Sequence, residues 1–93
     1  MKKYFVYILS NKNRTVLYIG YTSNIDRRLM EHKKANGTNF TKKYNVVDLV
    51  YLETFEDMTV AKKREKQLKN WYKEWKWNLI KELNPTLKNI ELN

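Results

Sequence analysis

The sequence predicts an α+β fold, in which a small three-stranded sheet is flanked by helices in the order β-β-α-β-α(α). Three observations predict it. The chain has 93 residues, which suits one domain. Three short runs rich in β-branched and aromatic residues are separated by polar segments. The segment 58–83 has no Gly or Pro and carries apolar residues at helical spacing.

The first two runs predict a hairpin. Residues 3–9 and 15–21 are bulky and apolar, and the polar residues 10–14 connect them. A short connection of this kind joins antiparallel strands. Both runs are nearly continuous in apolar residues, so we expect both faces of the sheet to be covered.

A helix is predicted after the hairpin. Ser23 and Asp26 have the spacing of a capping box, and the helix should run from about Asn24 to Ala35, with Gly37 as its stop. Residues 38–45 are polar and predict a loop.

The rest of the chain predicts a third strand over 46–55 and helical structure over 58–83. The third strand could join either edge of the hairpin. The helical segment is one long helix or two helices with a bend near Asn70. We expect residues 1–85 to form the single domain and 86–93 to form a loose C-terminal tail.

Composition excludes several kinds of site. The chain has no Cys and one His, so a disulfide framework, a thiol nucleophile and a multi-histidine zinc site are ruled out. Any metal would use oxygen ligands, which favours Mg²⁺ or Mn²⁺. The net charge of +9 favours a polyanionic partner: nucleic acid first, and an anionic membrane surface second.

Targeting signals are weak. The apolar run at the start is short and lacks a cleavage site of small residues, and no stretch is long enough to span a membrane. We expect a cytoplasmic protein that does not enter membranes.

The hairpin holds the first candidate site residues. A turn centred on residues 12–13 places Tyr7 directly opposite Tyr18, with both phenols on one face. They could line a site or simply form an aromatic cross-strand pair. Gly20 interrupts a bulky strand, which indicates either the close approach of another group or a plain strand exit. The helix that follows presents N–H groups that suit phosphate.

The predicted first helix carries Arg28 and His32 four residues apart, and therefore on one face. An arginine binds phosphate well, and a histidine can hold or transfer a proton near neutral pH. The alternative is an ordinary solvated basic face. The basic residues that we expect to contact nucleic acid are Arg27, Lys33, Lys34, Lys42 and Lys43.

Glu65 interrupts the apolar stripe of the long helical segment. The stripe falls at positions 58, 61, 65, 68, 72, 75 and 79, and position 65 is a carboxylate. A charge on a core-facing stripe needs a partner. That partner is either a basic side chain or a divalent metal ion.

Together these residues resemble the GIY-YIG nuclease superfamily. The resemblance rests on Phe5-Val6-Tyr7, on Tyr18-Ile19-Gly20, and on Arg28, His32 and Glu65, and it covers nearly the whole chain. Phe5 and Val6 stand where the family has Gly and Ile. The chain is most similar to small stand-alone members, which are related to the N-terminal nuclease domain of the excinuclease C subunit.

The resemblance implies an antiparallel sheet and hydrolysis of a DNA strand with one divalent ion, Mg²⁺ or Mn²⁺. Glu65 would hold the metal, Arg28 would bind the scissile phosphate, and Tyr7 or Tyr18 would activate or position the attacking water. His32 matches a further polar position of the site, and Gly20 would allow close approach. Asn84 is a possible additional site residue.

We therefore expect a metal-dependent DNA endonuclease, with a role in DNA repair or recombination. The chain has no room for a separate DNA-binding domain. It would therefore cleave with little sequence preference, recognise a structure such as a branch or flap, or depend on a protein partner for target specificity. The alternative is a non-catalytic, basic nucleic-acid-binding module with the same fold. A third hypothesis is a scaffold that docks through the segment from Trp71 to Trp77.

Overall fold

A computed structural model describes residues 2–34 and 38–92. Within these residues, three strands form one antiparallel sheet in the order β2-β1-β3, and four helices accompany it. The α+β fold and the predicted element order are confirmed, with one additional short helix. The elements in chain order are β1 (Tyr4–Ser10), β2 (Leu17–Thr22), α1 (Ile25–Lys33), α2 (Asn39–Tyr44), β3 (Asp48–Phe55), α3 (Met58–Lys69) and α4 (Lys73–Leu83).

The central strand β1 is buried on both faces. Val6 and Ile8 point to one face, where they pack with Leu68 of α3 and Ile80 of α4. Tyr7 and Leu9 point to the other face, where they pack with residues of α1 and β3. The expectation that both faces are covered is therefore confirmed. The third strand joins the β1 edge, which leaves β2 and β3 as the outer strands.

The predicted hairpin register is wrong by two residues. Tyr7 pairs with Gly20, and Tyr18 pairs with Leu9. The connection covers residues 11–16 instead of 10–14, because the Asn11 carboxamide oxygen accepts hydrogen bonds from two backbone N–H groups on the far side of the turn. A longer loop moves the pairing along both strands.

Helix α1 begins one residue later than a capping box at Ser23 would place it. Its N-cap is Asn24, whose side-chain oxygen accepts a hydrogen bond from the Arg27 N–H at 3.1 Å. The C-cap is Lys34. The predicted end at residues 35–37 lies outside the described residues.

The loop predicted over 38–45 is wrong, because residues 39–44 form helix α2. Thr38 caps it by accepting a hydrogen bond from the Thr41 N–H. Thr41 is the buried residue of this helix. Because the buried contact is made by a polar residue, the apolar pattern gave no sign of a helix.

The helical segment consists of two helices, and the break at residues 70–72 lies where the bend was expected. Because of this break, the residues of α4 that face the core no longer continue the spacing of the buried residues of α3. Tyr72 and Trp75 belong to the predicted stripe but are 72% and 51% exposed. Trp77, which lies off the stripe, packs on the core instead, so the assignment of Trp75 to the core is wrong.

The segment after α4 has no helix or strand within residues 84–92, but it is not loose. The Ile90 N–H donates to the Leu49 carbonyl at 2.7 Å, and the Leu49 N–H donates to the Asn89 side chain at 2.8 Å. These bonds cover part of the outer edge of β3, which would otherwise expose unpaired backbone groups.

No helix in the described part of the chain is long and apolar enough to cross a membrane. The longest, α3, has 12 residues, whereas a span needs about 20 apolar residues.

Candidate active site

The Tyr7 ring lies across Gly20 on the neighbouring strand. A Cβ atom at position 20 would lie 2.3 Å from Cζ and from the hydroxyl oxygen of Tyr7. Every residue except glycine would therefore collide with the ring. The close approach that Gly20 was expected to allow is made, within this structure, by the phenol of Tyr7.

The Tyr7 hydroxyl joins two side chains of α1. His32 Nε2 lies 3.1 Å from the hydroxyl oxygen, and Arg28 Nε lies 3.4 Å from it. Tyr7 and His32 are 1% and 3% exposed, whereas the Arg28 side chain is 27% exposed. Tyr7, which is itself held by His32, thus holds an arginine that reaches the surface.

Arg28 also contacts Glu31, one turn further along α1, with Nη1 3.1 Å from Oε1. Hydrogen bonds that Arg28 donates to Tyr7 and Glu31 fix the guanidinium at two of its nitrogens. Its Nη2 has no protein partner among residues 2–34 and 38–92. This nitrogen is therefore available to an incoming anion.

Burial sets the protonation states of this cluster. Desolvation raises the pKa of Tyr7 to about 12, so the phenol is neutral at physiological pH. Desolvation, reinforced by the charge of Arg28, lowers the pKa of His32 to about 4, so the imidazole is neutral as well. The hydrogen bond with Tyr7 is the largest influence that raises the pKa of Arg28 above its usual value.

Tyr18 adds a second phenol, diagonally across the strands from Tyr7. Their ring centroids are 6.4 Å apart, and the Tyr18 ring lies 5.6 Å from His32. Tyr18 is half-buried, and its hydroxyl has no hydrogen-bond partner in the described portions of the chain. The two phenols share one face as predicted, and Tyr18 is the one that solvent reaches.

Glu65 approaches the same region from the other side of strand β2. Its side chain is 23% exposed and pairs with Lys69 at 3.1 Å. Lys69 and Tyr18 line one surface depression of about 300 Å³. Burial is the main influence that raises the pKa of Tyr7 and of Tyr21, and the charge of Glu65 adds to it in both cases. No hydrogen bond joins Glu65 to Tyr7, Tyr18, Arg28 or His32 in the described residues, so the carboxylate lies across β2 from these side chains without contacting them.

The residues present fit a single divalent cation only in part. Glu65 offers a carboxylate, the ligand that hard cations prefer. No group of three or more His, Asp or Glu residues is gathered anywhere in the described ranges. A cation at Glu65 would therefore complete its coordination with water and with phosphate oxygens, which is the usual arrangement for Mg²⁺.

The structure does not bring Asn84, the possible additional site residue, to this cluster. The Asn84 amide donates to the carbonyls of Val50 and Lys88, next to the outer strand β3 and on the far edge from β2. The predicted DNA-contacting residues on α1 and α2 are all exposed: Arg27, Lys33, Lys34, Lys42 and Lys43. These basic residues lie on, or directly after, the two helices that carry His32 and Thr41.

The sequence did not identify Thr41 as a site residue. Its hydroxyl oxygen lies 2.9 Å from His32 Nδ1, and the residue is 2% exposed. The available signal was a threonine three residues after another threonine, the spacing of an N-cap and the residue it caps.

The fold and the site define a class of small α+β domain, in which a phenol pair, an arginine and a histidine gather beside an outer strand and a helical glutamate. The family model of the GIY-YIG catalytic domain matches residues 3–78. The chain therefore belongs to the GIY-YIG family, a superfamily of nucleases whose domains act on DNA.

The relatives are of the same size. The chain is 42% identical over 86 residues to the UPF0213 protein of Syntrophus aciditrophicus, which covers 91% of this chain and 97% of that one. It is 37% identical over 82 residues to the UPF0213 protein of Staphylococcus haemolyticus, covering 88% and 99%.

A solved structure agrees with this assignment. The solution NMR structure of the UPF0213 protein BH0048 from Bacillus halodurans superposes with a TM-score of 0.61 at 28% identity. The match covers 94% of this chain and 92% of the other. These small single-domain proteins thus share the fold along nearly the whole chain.

Proposed function

We propose that this protein is a divalent-metal-dependent DNA endonuclease that hydrolyses phosphodiester bonds. The observation that carries the proposal is Arg28, which is fixed at two nitrogens by Tyr7 and Glu31 while its side chain stays 27% exposed and its Nη2 has no partner in the described residues. Hydrolysis forms a bond between a water oxygen and phosphorus and breaks the bond to the leaving oxygen. The proton from water finally resides on that leaving oxygen.

Arg28 binds the scissile phosphate in this proposal. A guanidinium matches two phosphate oxygens, and its positive charge stabilises the charge that develops during hydrolysis. Because Tyr7 and Glu31 hold it in advance, little reorganisation is needed when DNA binds.

The two phenols have different roles in this proposal. Tyr7 is buried and neutral, so it orients Arg28 and is itself held by His32. Tyr18 reaches solvent, so its hydroxyl contacts the attacking water or a phosphate oxygen. Gly20 lets the Tyr7 ring lie close enough to the outer strand for both rings to share one site.

Glu65 would hold one Mg²⁺ or Mn²⁺. When bound, the cation would neutralise phosphate charge during hydrolysis. Lys69, which now pairs with Glu65, is half-exposed and can turn away into solvent. Because the protein offers one carboxylate, we expect the metal to bind much more tightly when the phosphate is also present.

Basic and aromatic side chains beside the site would bind DNA. Phe40 and Tyr44 of α2 are 41% and 43% exposed, and the Phe40 ring lies 6.1 Å from Tyr18. Exposed rings of this kind can stack on bases, while the neighbouring lysines neutralise phosphates. A partner protein that supplies target specificity, and a role in repair or recombination, belong to the same proposal.

The test is a plasmid-nicking assay with Mg²⁺ or Mn²⁺, with and without EDTA. We expect wild-type protein to convert supercoiled plasmid to the nicked form, and EDTA to abolish this. Glu65→Gln and Arg28→Ala should each lower the rate by about 100-fold or more, the typical cost of removing one group that stabilises the transition state. Glu65→Gln should retain DNA binding.

The matched controls are Glu82→Gln and Lys81→Ala, which change the same types of charge on the exposed surface of α4. Both should cleave like wild type. Cleavage by Glu65→Gln at the wild-type rate would overturn the metal assignment. A wild-type protein that binds nicked, branched and single-stranded DNA without cutting any of them would favour the non-catalytic binding module.

A further inference from the structure

The Tyr7 hydroxyl can donate its hydrogen bond in only one direction. Arginine is a donor and has no acceptor atom, so the Tyr7 oxygen accepts from Arg28 Nε. Tyr7 is 1% exposed, and its other hydrogen-bond partner among the described residues is His32 Nε2 at 3.1 Å. Tyr7 therefore donates its proton to Nε2, which must carry a lone pair.

A neutral imidazole with a bare Nε2 has its proton on Nδ1. His32 Nδ1 lies 2.9 Å from the Thr41 hydroxyl oxygen, so this N–H donates to Thr41. Thr41 in turn donates its own proton to the Thr38 carbonyl at 3.1 Å. The donors thus run in one direction, from Arg28 through Tyr7, His32 and Thr41 to the backbone of Thr38.

The start of α2 is arranged to keep Thr41 in this role. The Thr38 side chain accepts from the Thr41 N–H and donates to the Thr41 hydroxyl oxygen at 3.2 Å. The Thr41 hydroxyl therefore uses its one donor and both acceptor positions, and no buried side-chain polar atom in the described ranges lacks a partner.

We propose that Thr41 is a positioning residue, which holds His32 as the Nδ1–H tautomer so that Tyr7 presents its oxygen to Arg28. A hydrogen-bond partner behind an imidazole commonly fixes its tautomer and ring orientation in this way. The effect on catalysis rests on the proposed function, whereas the tautomer is a property of the folded protein alone.

The simpler alternative is that Thr41 only stabilises a short helix. In that case Thr41→Val would lower stability and leave the protonated nitrogen of His32 unchanged. The tautomer therefore separates the two roles, because a residue that only stabilises α2 has no influence on which imidazole nitrogen carries the proton.

Long-range ¹H–¹⁵N NMR at neutral pH measures this directly. His32 is the single histidine of the chain, so the two imidazole nitrogens are observed without overlap. We expect wild type to show a protonated Nδ1 and a bare Nε2. Thr41→Val should lose this pure tautomer and show Nε2–H, whereas Thr41→Ser should restore the wild-type pattern. Thr54→Val, an exposed threonine on β3, is the matched control and should change nothing.

Two results would overturn the proposal. One is an Nε2–H tautomer in wild type, which needs no variant and so does not depend on whether Thr41→Val folds. The other is a folded Thr41→Val protein with an unchanged His32 spectrum.

The nicking assay gives the second readout. Thr41→Val should lower the rate by about 10- to 100-fold at saturating DNA, with the KM for DNA unchanged, and Thr41→Ser should recover most of the rate. If wild type shows the Nδ1–H tautomer but no DNA is cut, the proposed nuclease function fails while the role of Thr41 stands. If Thr41→Val changes the tautomer but cleaves like wild type, His32 is not needed in that form, and the catalytic part of the proposal is wrong.

Discussion

Gly20 shows how one residue makes the site possible. The residue matters for space, because the Tyr7 ring occupies the volume that a side chain at position 20 would need. Loss of the glycine would force the ring away from Arg28 and His32. The packing of β1 against β2 and the geometry of the site therefore both depend on the absence of a side chain at position 20.

We predict that Gly20→Ala destabilises the protein by about 1–3 kcal/mol, the usual cost of inserting a methyl group into a packed site. Urea unfolding measures the change. In a Tyr7→Leu background the same substitution should cost much less, because the atoms that collide are gone. An equal cost in both backgrounds would show that the contact with Tyr7 is not the cause.

A second prediction concerns His32 and pH. Its pKa is near 6.5 in the unfolded chain and about 4 in the folded protein, chiefly because of burial, with opposing effects from Arg28 and Glu31. Between these values the unfolded state binds a proton that the folded state does not bind. Stability should therefore fall as pH is lowered from 6.5 towards 4.

Urea unfolding of wild type and His32→Gln at pH 7 and pH 4.5 tests this. Carboxylates contribute equally to both proteins, so the difference between the two pH dependences isolates the histidine. We expect the wild type to lose more stability on acidification than the variant. Parallel pH dependences would mean that His32 titrates normally in the folded protein.

At the scale of elements, the strands and the long helices were predictable because apolar periodicity reports burial. Ile8, Ala61 and Leu68 lie where a two-sided sheet and a helix packed on it require them. The hairpin register was not predictable, because it depends on side-chain bonds from Asn11 inside the loop. A two-residue shift keeps every side chain on its own face, so the alternation could not reveal the error.

The predictions of a loop at residues 38–45 and of a buried Trp75 were wrong for related reasons. Thr41 is buried by hydrogen bonds, which hydrophobicity does not report. The turn between α3 and α4 rotates the second helix, so Tyr72 and Trp75 leave the core although the spacing continues unbroken through them. Among the site residues, strand periodicity placed Tyr18 on the same face as Tyr7, although not in the predicted pairing, and helix periodicity placed Arg28 and His32 on one face of α1. Neither pattern predicted the residue behind His32.

At the scale of the whole molecule, the basic residues should control DNA affinity. Lys42 and Lys43 lie exposed on α2, the helix whose Phe40 ring lies 6.1 Å from Tyr18. We predict that reversing both charges, with Lys42→Glu and Lys43→Glu, weakens DNA binding and makes it less dependent on salt. Each lost phosphate contact should reduce the slope of log affinity against log salt by about 0.9.

Fluorescence anisotropy with labelled duplex DNA at several salt concentrations measures the slope. Lys81→Glu, in the last turn of α4, changes the net charge without altering that surface and is the control. If Lys81→Glu reduced the slope by half as much as the double variant or more, binding would depend on net charge rather than on the surface next to the site.

The central position of β1 has a consequence for the order in which the site can form. Tyr7, Tyr18, Arg28 and His32 all belong to the first three elements, which are close neighbours along the chain and can assemble through short loops. The threonine behind His32 and the carboxylate at Glu65 are translated later. On the proposed function, a nascent chain that ends after α1 would contain the phosphate-binding arginine but not the carboxylate. It would also lack β3, α3 and α4, which cover β1, and a chain this short rarely folds on its own. The phosphate-binding cluster and the carboxylate therefore become functional together, only after the second half of the chain has been made.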